Sequence, residues 1–164
     1  MADAYTRIYI QVVFAVKNRK ALIQPAWENE LYKYITGIIQ NKGQKLLAIN
    51  GNYDHIHFFI GMRANCCLSD LVREVKKSST LFIKDKKFSP CHFQWQKGYG
   101  AFSYNHSQLG NIIRYIDNQK EHHKKQVFRD EFLIFLKKFD ISFRDEYLFD
   151  FLKIDKNVKL FNKI

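Results

Sequence analysis

Along the 164 residues the spacing of apolar positions changes several times, and each change marks an element. Residues 5–16 (YTRIYIQVVFAV) alternate at first and then run apolar, which predicts a strand in the middle of a sheet. Lys17 to Lys20 form a basic turn. Pro25 then opens a helix reaching about Asn41, with Leu31, Ile35, Ile38 and Ile39 on one face, and Gly43 stops it. Residues 46–50 predict a short strand and Gly51-Asn52 a turn. A second strand follows in DHIHFFIG, so the two form an antiparallel hairpin. From Ser69 or its neighbour a helix extends to about Lys86, with Leu71, Val72, Val75, Leu81 and Phe82 as its buried stripe. Residues 93–104 read as a fourth strand in which Gly98 and Gly100 mark a bulge or a close backbone approach. Ser107 is expected to cap a third helix over about 108–124. A further helix is expected over about 129–139, then an irregular tail with Phe143, Tyr147, Phe149 and Phe151.

The order β-α-β-β-α-β, followed by helices, predicts an α+β fold of the ferredoxin-like, RRM-like kind. Its sheet is four-stranded and antiparallel with helices on one face, and the other face is an open platform for a nucleic-acid strand. One domain is expected over 1–164, with a core at about 5–125 and a C-terminal extension from about 126. At this length with 46% apolar residues a sizeable core can be buried.

Charge adds a partner. Lys and Arg number 27 against 16 Asp and Glu, a net +11, which favours a polyanion such as nucleic acid. Lys76, Lys77, Lys84 and Arg114 are the candidate phosphate contacts; a solvated helix face explains the lysines equally well. Cys66, Cys67 and Cys91 lack metal-site or disulfide spacing, and no stretch resembles a leader or a membrane span, so a cytoplasmic protein is expected.

Two patterns carry chemistry. His55 and His57 flank Ile56, and in a strand residues two apart share a face, so both imidazoles can be offered to one ion. The plainer reading is two polar residues on a solvated strand face. Tyr115 and Gln119 stand four apart and share a helix face. Alone they read as packing; with the histidines they supply a phenolic nucleophile and an amide oxygen. Such a mixed donor set suits Mn²⁺ and tolerates Mg²⁺. Asp54 reads first as a turn residue and second as a carboxylate that orients a ligand. His122 and His123, among lysines, read first as solvated and second as phosphate contacts.

The histidine–hydrophobic–histidine strand, WQKGYGAFSYNHSQL and YIDNQKEHH together resemble the IS200/IS605 transposases. These are single-tyrosine members of the histidine-hydrophobic-histidine (HUH) endonucleases, and the resemblance runs over nearly the whole chain. It implies that His55, His57 and Gln119 bind Mg²⁺ or Mn²⁺. It implies that Tyr115 attacks single-stranded DNA to give a 5′-phosphotyrosine and a free 3′-OH, and that strand transfer follows by reversal. It further implies recognition of hairpins at element ends and a homodimer in which one tyrosine helix can complete the partner's site. The competing readings are a catalytically silent hairpin-binding descendant and a different single-tyrosine nickase.

Overall fold

The computed structural model describes residues 4–144. Four strands form one antiparallel sheet in the order β2-β3-β1-β4: β1 (Ile8–Ala15), β2 (Lys45–Asn52), β3 (His55–Met62) and β4 (Gly100–Tyr104). The apolar run in β1 has the central place its pattern predicts. Helices α1 (Pro25–Asn41) and α2 (Leu68–Asp85) form the two crossovers. The expected α+β sandwich is therefore present.

Alternation along β1 and β3 divides the core in two. Val12, Phe14 and Val16 on β1 and beyond its end, with Ile56, Phe58 and Ile60 on β3, face α1 and α2. There they pack against Leu31, Ile35, Ile39, Leu71, Val72 and Val75. Val13, Ala15, Phe59 and Phe102 face the other way. That second face is not the open platform the topology suggested. It is covered by α3 (Leu109–Asp117), α4 (Gln119–His122) and α5 (Phe128–Lys138), which contribute Ile116, Phe128, Phe135 and Leu136. An apolar sheet face left to water would forgo burial of about 1.5–3 kcal/mol per large side chain, and α5 supplies the covering surface.

Several boundaries differ from the sequence reading for local reasons. The hairpin turn is Tyr53-Asp54, because Gly51 and Asn52 remain paired with Ile56 and His55. On α2 the buried stripe is Leu71, Val72, Val75, Ser79 and Ile83, the 3–4 spacing of one face; Leu81 falls off that face and is exposed. Only residues 100–104 of the fourth strand pair; Trp95 makes an isolated bridge to Val16, and Gly98 at φ +83 turns the chain between them. A Cβ at Gly100 would meet the Phe132 ring at 2.7 Å, which is the close approach its position suggested. Asn105, not Ser107, caps the turn before α3 through a reciprocal pairing with Gln108. The expected third helix breaks at Asn118 (φ −94, ψ 17), so Tyr115 and Gln119 lie on α3 and α4. The aromatics Tyr147, Phe149 and Phe151 lie outside the described residues.

Candidate metal and nucleophile site

The site forms between the second sheet face and the helices over it. His55 and His57 project from β3 on the side of Val13 and Ala15, their cross-strand neighbours on β1, and both are fully buried. Asp54, in the turn, accepts from His55 Nδ1 at 2.7 Å. A carboxylate at that nitrogen fixes the ring's tautomer and leaves the Nε2 lone pair facing the site.

The break at Asn118 is held from β2. Asn50 Nδ2 donates to the Asp117 carbonyl at 3.0 Å, and Lys120 Nζ reaches the Gly51 carbonyl at 3.2 Å and Glu28 at 2.9 Å. Gln119, itself fully buried, thereby turns inward, with Oε1 3.3 Å from His55 Nε2. Two residues not among the expected ligands join it. His123, expected in solvent, is only 3% exposed at its side chain. Its Nδ1 donates to the Gln126 carbonyl at 2.8 Å, which leaves Nε2 facing Gln119 Oε1, 3.0 Å away. Glu131 enters from α5, 2% exposed, with Oε1 2.8 Å from His57 Nε2 and 3.3 Å from His123 Nε2. The donor atoms of His55, His57, His123 and Glu131 all lie within 4.8 Å of one another.

The chemistry of this set decides whether an ion belongs there. His55 Nε2, His123 Nε2, Gln119 Oε1 and a carboxylate oxygen converge as acceptors, and acceptors facing one another repel unless a cation or proton lies between them. Imidazole nitrogens backed by carboxylate and carbonyl partners are the usual way a protein presents metal ligands. The cluster fits a divalent metal ion.

Tyr115 stands beside its own chain's histidines, its ring 6.1 Å from that of His57. Its hydroxyl donates to Glu131 Oε2 in a short hydrogen bond. Burial, followed by the Glu131 charge and hydrogen bond, pushes the phenol above its ordinary range, so it rests protonated. Burial also pushes Glu131 up, but its contacts with the His123 and His57 ring nitrogens, followed by the charges of His57 and His55, outweigh it and hold the carboxyl well below the usual carboxylate range. His57 is lowered to about 4, chiefly by burial, against the pull of Glu131. On the far side of His57, Gln11 donates to Nδ1 at 2.9 Å and accepts from Tyr104 Oη at 2.8 Å. The Tyr104 hydroxyl is thereby turned to Gln11, whereas that of Tyr115 meets Glu131; Tyr99 sits apart, near Lys76.

The lysines on α2 belong to the opposite sheet face, away from this cluster. Lys76 is engaged by the fold: it donates to the Gln96 carbonyl at 2.9 Å and to that of Gly98, and its ammonium lies 5.4 Å from the Phe14 ring. Burial lowers it to about 8. Lys76→Met should cost about 1–3 kcal/mol in a chemical melt, because two carbonyls lose a charged donor. An unchanged melt with weakened DNA binding would instead mark it as a phosphate contact. Lys77, Lys84 and Arg114 are exposed, and Arg114 shares α3 with Tyr115.

Residues 4–119 match the family model for IS200-like transposases. The chain belongs to that family. Two solved structures share its fold. One is a candidate transposase from Deinococcus radiodurans R1, 18% identical, with TM-score 0.57, covering 73% of this chain and 96% of that one. The other is a REP-associated tyrosine transposase bound to a REP hairpin, 16% identical, with TM-score 0.57, covering 75% of this chain and 73% of that one. No curated protein matches this transposase. Its histidine pair, Tyr115 and Gln119 fall inside the family match, whereas His123 and Glu131 lie beyond it.

Proposed function

We propose that this transposase cleaves and rejoins single-stranded DNA through Tyr115, with a divalent ion held by His55, His57 and Gln119. The observation that carries the reading is the meeting, in one buried cluster, of a phenol and a converging set of metal-ligand acceptors. When bound, the ion supplies positive charge to the phosphodiester oxygens and orients the phosphorus. The Tyr115 oxygen bonds to phosphorus and the P–O3′ bond breaks, leaving a 5′-phosphotyrosine. The leaving oxygen takes up a proton and becomes the free 3′-OH. The phenol's proton departs during attack, and Glu131 Oε2 is the acceptor it already touches. Attack by another 3′-OH reverses these steps and joins strands with no external energy source.

The structural neighbour bound to a hairpin supports hairpin DNA as the substrate here. Arg114, with Lys124 and Lys125 just past α4, puts exposed positive charge on the tyrosine-bearing side. A homodimer is part of the proposal. Tyr115 beside its own histidines describes the single chain, and exchange of tyrosine helices would require α3 to leave Glu131.

The test is a denaturant-resistant adduct on labelled single-stranded DNA carrying a hairpin and its flank, with Mn²⁺ or Mg²⁺. The adduct should form with metal and vanish with chelator and in His55→Ala. Hairpin binding without any adduct would favour the silent-descendant reading. Cleavage and religation without transfer between ends would favour a nickase.

A further inference from the structure

We propose that His123 and Glu131 are ligands of the same ion, so that the centre is a three-histidine, one-carboxylate site that prefers a transition-metal ion such as Mn²⁺, Co²⁺ or Zn²⁺ to Mg²⁺. The inference rests on the metal reading above and extends it to residues outside the family match. Separations among the donor atoms carry the argument. His57 Nε2, His123 Nε2 and His55 Nε2 lie 2.8, 3.3 and 3.8 Å from Glu131 Oε1. Gln119 Oε1 is 3.3 Å from His55 Nε2 and 3.0 Å from His123 Nε2. Metal–nitrogen bonds of about 2.0–2.1 Å at tetrahedral angles place ligand atoms about 3.3 Å apart, and these separations of 2.8–3.8 Å lie on either side of that length.

Each histidine also has a partner for its outer nitrogen. Asp54 holds His55 and the Gln126 carbonyl holds His123. His57 faces the Gln11 amide, whose rotation would present an oxygen to Nδ1–H and leave the Nε2 lone pair for the ion. Glu131 then divides its work: Oε1 faces the nitrogens, and Oε2 holds the Tyr115 hydroxyl and the Gln119 amide. Imidazole-rich sets favour later first-row ions, whereas Mg²⁺ seeks an octahedron of oxygens and keeps several waters. Three buried imidazoles leave little room for those waters.

The full chain, stripped with chelator, would be titrated with Co²⁺ and followed by visible absorption and by proton NMR. The expected result is three paramagnetically shifted imidazole N–H signals, one per histidine of the cluster. Mg²⁺ in roughly 1,000-fold excess should not displace the Co²⁺. His123→Ala and Glu131→Gln should each weaken Co²⁺ binding by at least about 10- to 100-fold, and His123→Ala should remove one shifted signal. Two shifted signals in the wild-type protein, which needs no variant to fold, would overturn the inference. So would displacement by equimolar Mg²⁺, or Co²⁺ binding unchanged in both variants. If His55→Ala abolishes binding while His123→Ala does not, the histidine-pair reading survives and this inference fails. No Co²⁺ binding by the wild type would end both.

Discussion

Tyr115→Phe should yield no covalent protein–DNA adduct above background while leaving hairpin binding and the folded state in place. The proposed chemistry has no other route to a phosphotyrosine. The Tyr104 hydroxyl is turned to Gln11 and Tyr99 sits by Lys76, whereas Tyr115 is the one bonded to Glu131 of the ligand cluster. The substitution removes the hydrogen bond to Glu131, worth about 1 kcal/mol, and a longer contact with His122 Nε2 at 3.5 Å. Glu131 keeps His57 at 2.8 Å and the Gln119 amide at 3.3 Å, so the carboxylate is not stranded. A circular dichroism melt close to wild type, with the adduct gone, is the expected pair of results. An adduct that persists in Tyr115→Phe would move the nucleophile elsewhere and detach the tyrosine from the site's chemistry.

Acid should destabilise the metal-free protein well before ordinary carboxylates titrate. His57 is lowered to about 4, whereas in an unfolded chain it takes its proton near 6.5. Between those values the unfolded state binds the additional proton. The stability from keeping His57 neutral is therefore complete above about pH 6.5 and is lost as pH falls toward 4. At about 1.4 kcal/mol per pH unit the full loss is about 3 kcal/mol, or about 6–12 °C in the melting temperature of a chain this size. Glu131, held below the carboxylate range, contributes in the same direction at lower pH. Thermal melts in chelator at pH 7.5 and 4.5 would read this, and His57→Asn should flatten the dependence between them. Equal melting temperatures at the two pH values would show that His57 is not buried in its neutral form.

Legibility in the sequence followed the physics of each signal. Period-two alternation placed β1 and β3, and the same rule put His55 and His57 on one face, because neither depends on distant residues. The motif inside the family match, Tyr115 with Gln119, was legible as a four-residue spacing, although the backbone breaks between them at Asn118. His123 was missed because HHKK reads as solvent-facing. Its spacing of four from Gln119 continues the stripe from Tyr115 and was the available sign. Glu131 was missed for the opposite reason: it is an acid set among Phe128, Phe132 and Phe135 on the buried side of α5. An acid at such a position is rarely left buried without partners, and here its partners come from β3, α3 and the chain after α4. Covering of the second sheet face was illegible because topology fixes where the crossovers go but not where a C-terminal helix returns.

The diagonal from Tyr104 through Gln11 to His57 has a bearing on how the sheet assembles. It crosses β4, β1 and β3, the three strands whose alignment the chain must find over long sequence separations. A slip of one residue in β1 would turn Gln11 into the greasy layer beneath α1 and α2 and bring Val12 to the histidines. Each polar group so stranded costs about 1–3 kcal/mol, a penalty that hydrophobic contacts, tolerant of near misses, do not impose. The glutamine thus works as an alignment pin: mispaired sheets are selected against by the same groups that position the chemistry.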